Sequence, residues 1–163
     1  MNKVEYYLDI AKTIAEASKC ARRKFGALIV KDDAIIATGY NGSVRGAKNC
    51  GEDVPCLKDL YNEAHYMSYN YCPAVHAEKN AILNAARVGA KVFGTTLYLS
   101  TSTGDNGDRP CYLCRRVMIN AGIKDCYYID KDGNVIHELV SNWINLENLW
   151  IEKLLEGRRK RKR

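Results

Sequence analysis

Two short motifs, His76-Ala77-Glu78 and Pro110-Cys111-Tyr112-Leu113-Cys114, constrain this chain more than any other feature, because each stands at the start of a predicted helix. Cysteines spaced Cys-x-x-Cys on a first helical turn can face one ion, and the positive helix end helps to hold them as thiolates. His76, offered from the other helix start, completes a set of three. Three nitrogen and sulfur ligands with a fourth position left open are the pattern of a catalytic rather than a structural zinc. If His76, Cys111 and Cys114 share one zinc, the fold must bring two helix N-termini together. Glu78 follows His76 by two residues and so points elsewhere on the first turn, beside the open position, where a proton shuttle belongs. Each motif alone is weak evidence: a lone Cys-x-x-Cys also serves as a redox pair or as half of a structural site, and a lone His at a helix start is more often a cap or a core residue.

The remaining pattern supplies the scaffold. Val4, Leu8, Ala11, Ile14, Ala15 and Ser18 form a helical stripe that ends near Cys20 and the basic run Arg22, Arg23, Lys24. Phe25 to Val30 and Ala34 to Thr38 read as a hairpin about Lys31, Asp32 and Asp33, stopped by Gly39-Tyr40-Asn41-Gly42. From Ser43 to Pro73 periodicity fails while Gly46, Gly51, Pro55 and three cysteines accumulate, so metal is the candidate for ordering the segment. His76 to Ala90 is an amphipathic helix closed by Gly89, and Thr96 to Ser100 a strand. Thr101 to Arg109 is polar and turn-rich, and Pro110 suits the first position of a helix from Cys111 to about Ala121, stopped by Gly122. Cys126 to Asp130 is a strand, Asp132-Gly133 turns the chain toward Val135 to Val140, and Trp143, Leu146, Leu149, Trp150, Leu154 and Leu155 trace a last amphipathic helix. Strands alternating with helices predict a three-layer α/β/α sandwich around a mixed sheet of about five strands.

The length of 163 residues suits one globular domain, expected over 1–157, followed by a basic tail at 158–163 that reads as a solvated, disordered end. The formal charge of +6 equals the charge of that tail, Arg158, Arg159, Lys160, Arg161, Lys162 and Arg163, and the body balances 19 basic against 19 acidic residues. A body of no net charge argues against nucleic acid as a partner, which normally requires a basic face. No basic-then-apolar leader opens the chain, and no apolar run approaches the roughly 20 residues of a membrane span, so a cytoplasmic protein without a membrane partner is expected. Seven cysteines in a reducing compartment read as metal ligands or buried thiols rather than disulfides.

Taken together and in this order, the two motifs form the His-x-Glu and Pro-Cys-x-x-Cys signature of zinc nucleobase deaminases. The chain resembles the deoxycytidylate deaminase branch of the cytidine deaminase superfamily over nearly the whole domain, from Cys20 to about Asp130. The resemblance is carried by Lys24 to Val30, Thr38-Gly39-Tyr40-Asn41-Gly42-Ser43, His76 to Ile82, Pro110 to Cys114 and Ala121-Gly122-Ile123-Lys124. It implies a cytidine deaminase-like fold and hydrolysis of the amino group of deoxycytidine monophosphate, giving deoxyuridine monophosphate and ammonia for thymidylate synthesis. It also implies that zinc makes water nucleophilic near neutral pH, while Glu78 moves a proton to ring N3 and then to the departing amine. By the same resemblance Asn41 contacts the substrate sugar, and the Ala77 backbone with Glu78 addresses the pyrimidine. A homohexamer activated by deoxycytidine triphosphate and inhibited by thymidine triphosphate is implied as well, although Val44 replaces the proline often found in that turn.

Cys20 and Cys50 match residues that bind a second, structural zinc in some phage members of this family. Cys56, His65 and Cys72 compete for the remaining places of a four-ligand site, with buried free cysteines as the alternative. The segment Thr101 to Arg109 is longer than the family's usual connection and lies at the pocket rim. Arg109 there is the candidate phosphate contact, because a guanidinium fork matches phosphate oxygens; a plain surface loop is the other reading. Three further readings stand beside deoxycytidylate deamination: a deaminase acting on adenosine or cytosine in tRNA, a deaminase of deoxycytidine triphosphate or another cytosine nucleotide, and a zinc-stabilised binding module with a dead site. The 34 residues between Asn41 and His76 argue against the tRNA enzymes, whose connection is short, and Glu78 would have no purpose in a binding module.

Overall fold

The computed structural model describes residues 1–61, 71–103 and 109–161, with side chains described to Arg158. Helix α1 (Lys3–Ala15) starts in a capping box. Asn2 Oδ1 accepts the Glu5 N–H at 2.9 Å, and the Glu5 carboxylate accepts the Asn2 N–H at 3.2 Å. The helix ends sooner than its apolar stripe suggests, and Glu16 and Ala17 follow as a turn. Strands β1 (Phe25–Lys31) and β2 (Ala34–Tyr40) form the expected hairpin. Asp32 and Asp33 both have positive φ, 48° and 64°, as a two-residue turn matching the strand twist requires.

Two short ladder strands, β3 (Gly42–Ser43) and β4 (Ala74–Val75), bound the irregular segment, whose described part includes one helical turn, α2 (Leu57–Leu60). Helix α3 (Ala77–Arg87), strand β5 (Thr96–Thr101), helix α4 (Tyr112–Ala121), strands β6 (Asp125–Ile129) and β7 (Val135–Leu139) and helix α5 (Trp143–Arg161) complete the chain. The sheet order is β2-β1-β5-β6-β7. Only β5 and β6 run parallel, joined through α4, so the sheet is mixed and five-stranded as expected.

Successive side chains of β1 face opposite sides of the sheet, and both sides are buried. Leu28 and Val30 meet Tyr7, Leu8 and Ala11 of α1, with Tyr98 of β5. Ala27 and Ile29 meet Ala77 and Ala81 of α3 and Met118 of α4, in a core that Trp143 closes. Two glycines let backbone rest on backbone across these layers. A Cβ on Gly26 would lie 2.1 Å from the Ala11 carbonyl oxygen of α1, and one on Gly39 would lie 2.3 Å from the Ala81 nitrogen and 2.6 Å from the Ala77 oxygen of α3.

Helix α3 also serves the open edge of β2. Asn84 Nδ2 donates to the Thr38 carbonyl and Asn80 Nδ2 to the Tyr40 carbonyl, each at 2.7 Å, occupying edge acceptors that no strand among the described residues pairs. The first turn of α3 is therefore fixed to the end of β2. Helix α5 runs on through Gly157 to Arg161, beyond the boundary expected at 157. Cations at a helix C-terminus face the negative end of its dipole, which offsets the cost of the glycine. Among the described residues no helix is long and apolar enough to cross a membrane.

Gly39→Ala forces α3 off the sheet and is expected to lower the unfolding free energy by about 2 kcal/mol, within the range for overpacked sites. Gly157→Ala, in open space on a helix, is expected to raise it by up to about 1 kcal/mol. Urea unfolding of both variants tests this, and a Gly39→Ala protein as stable as the parent contradicts it.

Candidate active site

Strand β4 delivers His76 as the N-cap of α3, with φ −69° and ψ 155°, and the imidazole makes no capping hydrogen bond. Across the site, the chain after β5 returns through buried Pro110 to Cys111, the N-cap of α4. This helix starts one residue later than the sequence suggests. Pro110 precedes the cap, and Cys111 Sγ accepts the Cys114 N–H at 3.5 Å. The thiol thereby takes the place that a Ser or Asp oxygen fills in ordinary caps. Cys111 Sγ and Cys114 Sγ each lie 3.4 Å from His76 Nδ1, and the three ligand atoms lie within 4.8 Å of one another.

This arrangement fits zinc. Ordinary Zn–S and Zn–N bond lengths in a tetrahedron put sulfur and nitrogen about 3.6 Å apart, close to the observed separation. The electrostatics agree. A hydrogen bond to Cys111, together with burial, pushes the Cys114 thiol far up, because two adjacent thiolates are unfavourable until a cation neutralises them. The hydrogen bond to Cys111 raises His76 against the opposing effect of burial. Glu78 is only 5% exposed, on the same first turn as Ala77, which is fully buried. Burial pushes its carboxyl up, opposed by its own backbone N–H and by His76.

A cavity opens on this cluster, with Phe25, Asn41, Leu99, Ala77 and Glu78 in its wall. Asn41 is anchored on both sides of its amide: Oδ1 accepts the Phe25 N–H at 2.8 Å, and Nδ2 donates to the Arg23 carbonyl at 2.9 Å. Ser18 Oγ donates to the Asn41 backbone carbonyl at 2.7 Å, tying the segment after α1 to the cavity. Arg109 also lines the wall, and its guanidinium is gripped by Glu138 of β7, with Nε donating to Oε2 at 2.9 Å and Nη2 to Oε1. Residues 104–108 of the rim segment lie outside the described residues.

The sequence singled out Arg109 but missed four other cations in the same wall, Lys19, Arg22, Arg23 and Lys58. Arg22 pairs with Asp59, Lys19 with Glu52 at 3.1 Å, and the Arg23 guanidinium stacks 4.7 Å from the Phe25 ring centroid. The run Arg22-Arg23-Lys24 was the available signal, and it reads equally well as an ordinary basic helix end. Cys20, Cys50, Cys56 and Cys72 line this cavity too, and burial raises the Cys50 thiol, with Cys56 and Cys20 adding to the effect. His65 lies outside the described residues. Among the described residues, His76, Cys111 and Cys114 alone approach closely enough to share an ion.

Residues 1–130 match the model of the cytidine and deoxycytidylate deaminase zinc-binding region. The chain belongs to this deaminase family. It is 37% identical over 131 residues to the deoxycytidylate deaminase of Mycobacterium phage D29, covering 76% of this chain and 91% of that protein. It is 32% identical over 127 residues to the human deoxycytidylate deaminase, covering 77% of this chain and 63% of that one. The crystal structure of dCMP deaminase from cyanophage S-TIM5 in complex with dCMP and dUMP superposes with a TM-score of 0.57 at 30% identity, over 76% of this chain and 79% of that one. Cytidine deaminase from Burkholderia pseudomallei shares the fold at a TM-score of 0.60 and 20% identity, over 87% of this chain and 95% of the other. In this deaminase the three-ligand cluster lies within the residues matched to the family's zinc-binding region, and β7 and α5 lie beyond them.

Replacing one ligand should remove the catalytic metal. His76→Ala is expected to contain one zinc fewer per chain than the parent by atomic emission, because a two-thiolate remnant lacks the third ligand. Equal zinc content in the two proteins contradicts the assignment.

Proposed function

We propose that this deaminase hydrolyses deoxycytidine monophosphate to deoxyuridine monophosphate and ammonia. The observation that carries the reading is the placement of buried Glu78 beside the His76, Cys111 and Cys114 cluster, in a cavity whose wall holds five cations. Its support in substrate comes from relatives named for deoxycytidylate and from the phage enzyme captured with dCMP and dUMP. Zinc held by the three ligands supplies a Lewis acid that makes water nucleophilic near neutral pH.

The chain's own residues do the rest. Glu78 accepts a proton from the attacking water and passes it to ring N3 as the new C–O bond forms at C4. Glu78 then carries a second proton to the exocyclic amine, the C4–N bond breaks, and ammonia leaves as the C4 carbonyl forms. The Ala77 backbone orients the pyrimidine, anchored Asn41 holds the sugar, and Arg109 meets the phosphate. Burial keeps bulk water from competing for the shuttled proton.

The same proposal includes a second, structural zinc held by four of Cys20, Cys50, Cys56, His65 and Cys72, supported by the convergence of the four cysteines on one cavity. It includes a hexamer regulated by deoxycytidine and thymidine triphosphates and a cytoplasmic site of action. Self-association is supported by α5, where Leu149, Trp150, Leu154 and Leu155 are each at least half exposed. A sedimentation mass of one chain, or rates unaffected by either triphosphate, would remove the corresponding part, as would metal analysis giving a single zinc in fully active protein.

Ammonia release measured across deoxycytidine, its mono- and triphosphate, cytidylate and a tRNA tests the substrate. The monophosphate is expected to exceed the nucleoside by about 10- to 160-fold in kcat/KM, the value of one charge-assisted hydrogen bond to phosphate. Turnover of tRNA alone contradicts the reading. Glu78→Gln is expected to retain zinc and lose at least about 100-fold in kcat, the lower bound for general acid–base transfer. A variant turning over near the parental rate would show that Glu78 is not the shuttle.

A further inference from the structure

We propose that Glu138 is a positioning residue for substrate specificity: it holds the Arg109 guanidinium by one edge and thereby aims the other at the nucleotide phosphate. This rests on the reading of the site as a nucleotide deaminase. The grip is two-point. Nε and Nη2 of Arg109 both donate to the Glu138 carboxylate, and such a fork fixes the plane and roll of a guanidinium, which a single contact cannot do. The edge made of Nη1 and the outer N–H of Nη2 then has a set direction, and Arg109 is itself part of the cavity wall that Cys111 and His76 also line.

Glu138 is in turn fixed. The β6–β7 register pairs it with Cys126, and the Tyr128 hydroxyl donates to Oε2 at 3.0 Å. Its side chain is 21% exposed, and that of Arg109 is 35% exposed, so the pair is sheltered more than an ordinary surface ion pair. Burial raises the Glu138 carboxyl, but the hydrogen bonds from Arg109, Trp143 and Tyr128 and the Arg109 charge together outweigh it and hold the group below its ordinary value, as a carboxylate at neutral pH. The arrangement links β7, outside the family-matched residues, to the residue that immediately precedes Pro110-Cys111.

Glu138→Gln preserves shape but sets an amide N–H against the guanidinium and breaks the fork. Steady-state kinetics on the zinc-loaded protein is expected to show KM for deoxycytidine monophosphate raised about 5- to 10-fold with kcat within about 2-fold, the signature of lost uniform binding. kcat/KM for the nucleoside deoxycytidine, which has no phosphate, is expected to stay unchanged. Glu138→Asp should recover part of the loss, and Glu138→Gln should add nothing in an Arg109→Ala background, because its effect passes through that arginine. Equal losses for nucleotide and nucleoside, or additivity with Arg109→Ala, would reduce the pair to a structural tie and overturn the proposal. No change for either substrate overturns it too. A parent protein that fails to prefer the monophosphate overturns the nucleotide reading itself, and this inference with it, before any variant is compared.

Discussion

His76, Cys111 and Cys114 can meet only if two helix N-termini converge at one end of the sheet, and the sulfur and nitrogen separations of 3.4 Å require that convergence to be tight. Backbone contact provides it. Gly39 allows the first turn of α3 to rest on β2 without an intervening side chain, and Asn80 and Asn84 fasten the helix to the open edge of that strand. On the other side, β5 is flanked by β1 and β6, so the chain that leaves it for Cys111 starts from the middle of the sheet. The helix dipoles then point their positive ends at a cluster of thiols, an arrangement that favours anionic sulfur and a bound cation together.

Charge is distributed for the same purpose. The body carries balanced charge, yet five cations line one cavity, several tied to carboxylates that also limit where their charge can reach. Such a wall suits a small anion approaching a fixed site rather than a long polyanion lying across a face. Glu78 lies deep in the same cavity, where burial favours a carboxyl able to hold a proton and where the metal's charge would favour its release.

Much of this was legible in the sequence because the strongest signals are local. The two motifs sit on the first turns of helices, where residue spacing determines direction, and the short, largely apolar runs of Phe25 to Val30 and Thr96 to Ser100 mark strands buried on both faces. Element ends were less legible. Cys111 caps α4 instead of belonging to it, because its sulfur substitutes for a polar cap oxygen, and α5 passes Gly157 because basic residues suit a helix C-terminus. Lys19, Arg22, Arg23 and Lys58 in the cavity wall, and the supporting Asn80, Asn84 and Glu138, were not legible in this way. Their roles depend on tertiary neighbours distant in sequence, and apolar periodicity says nothing about where polar side chains converge. Glu138 in particular sits in a short strand whose pattern signals only a half-buried edge.

If the metal held by His76, Cys111 and Cys114 makes this fold a nucleotide deaminase, turnover must depend on that metal. The most direct test follows dCMP conversion by ultraviolet absorbance in protein stripped of metal with a chelator, verified metal-free, and then reloaded with zinc. No measurable turnover is expected in the stripped protein, with recovery on adding zinc; metal-free protein converting dCMP at the untreated rate would contradict a catalytic role for the metal.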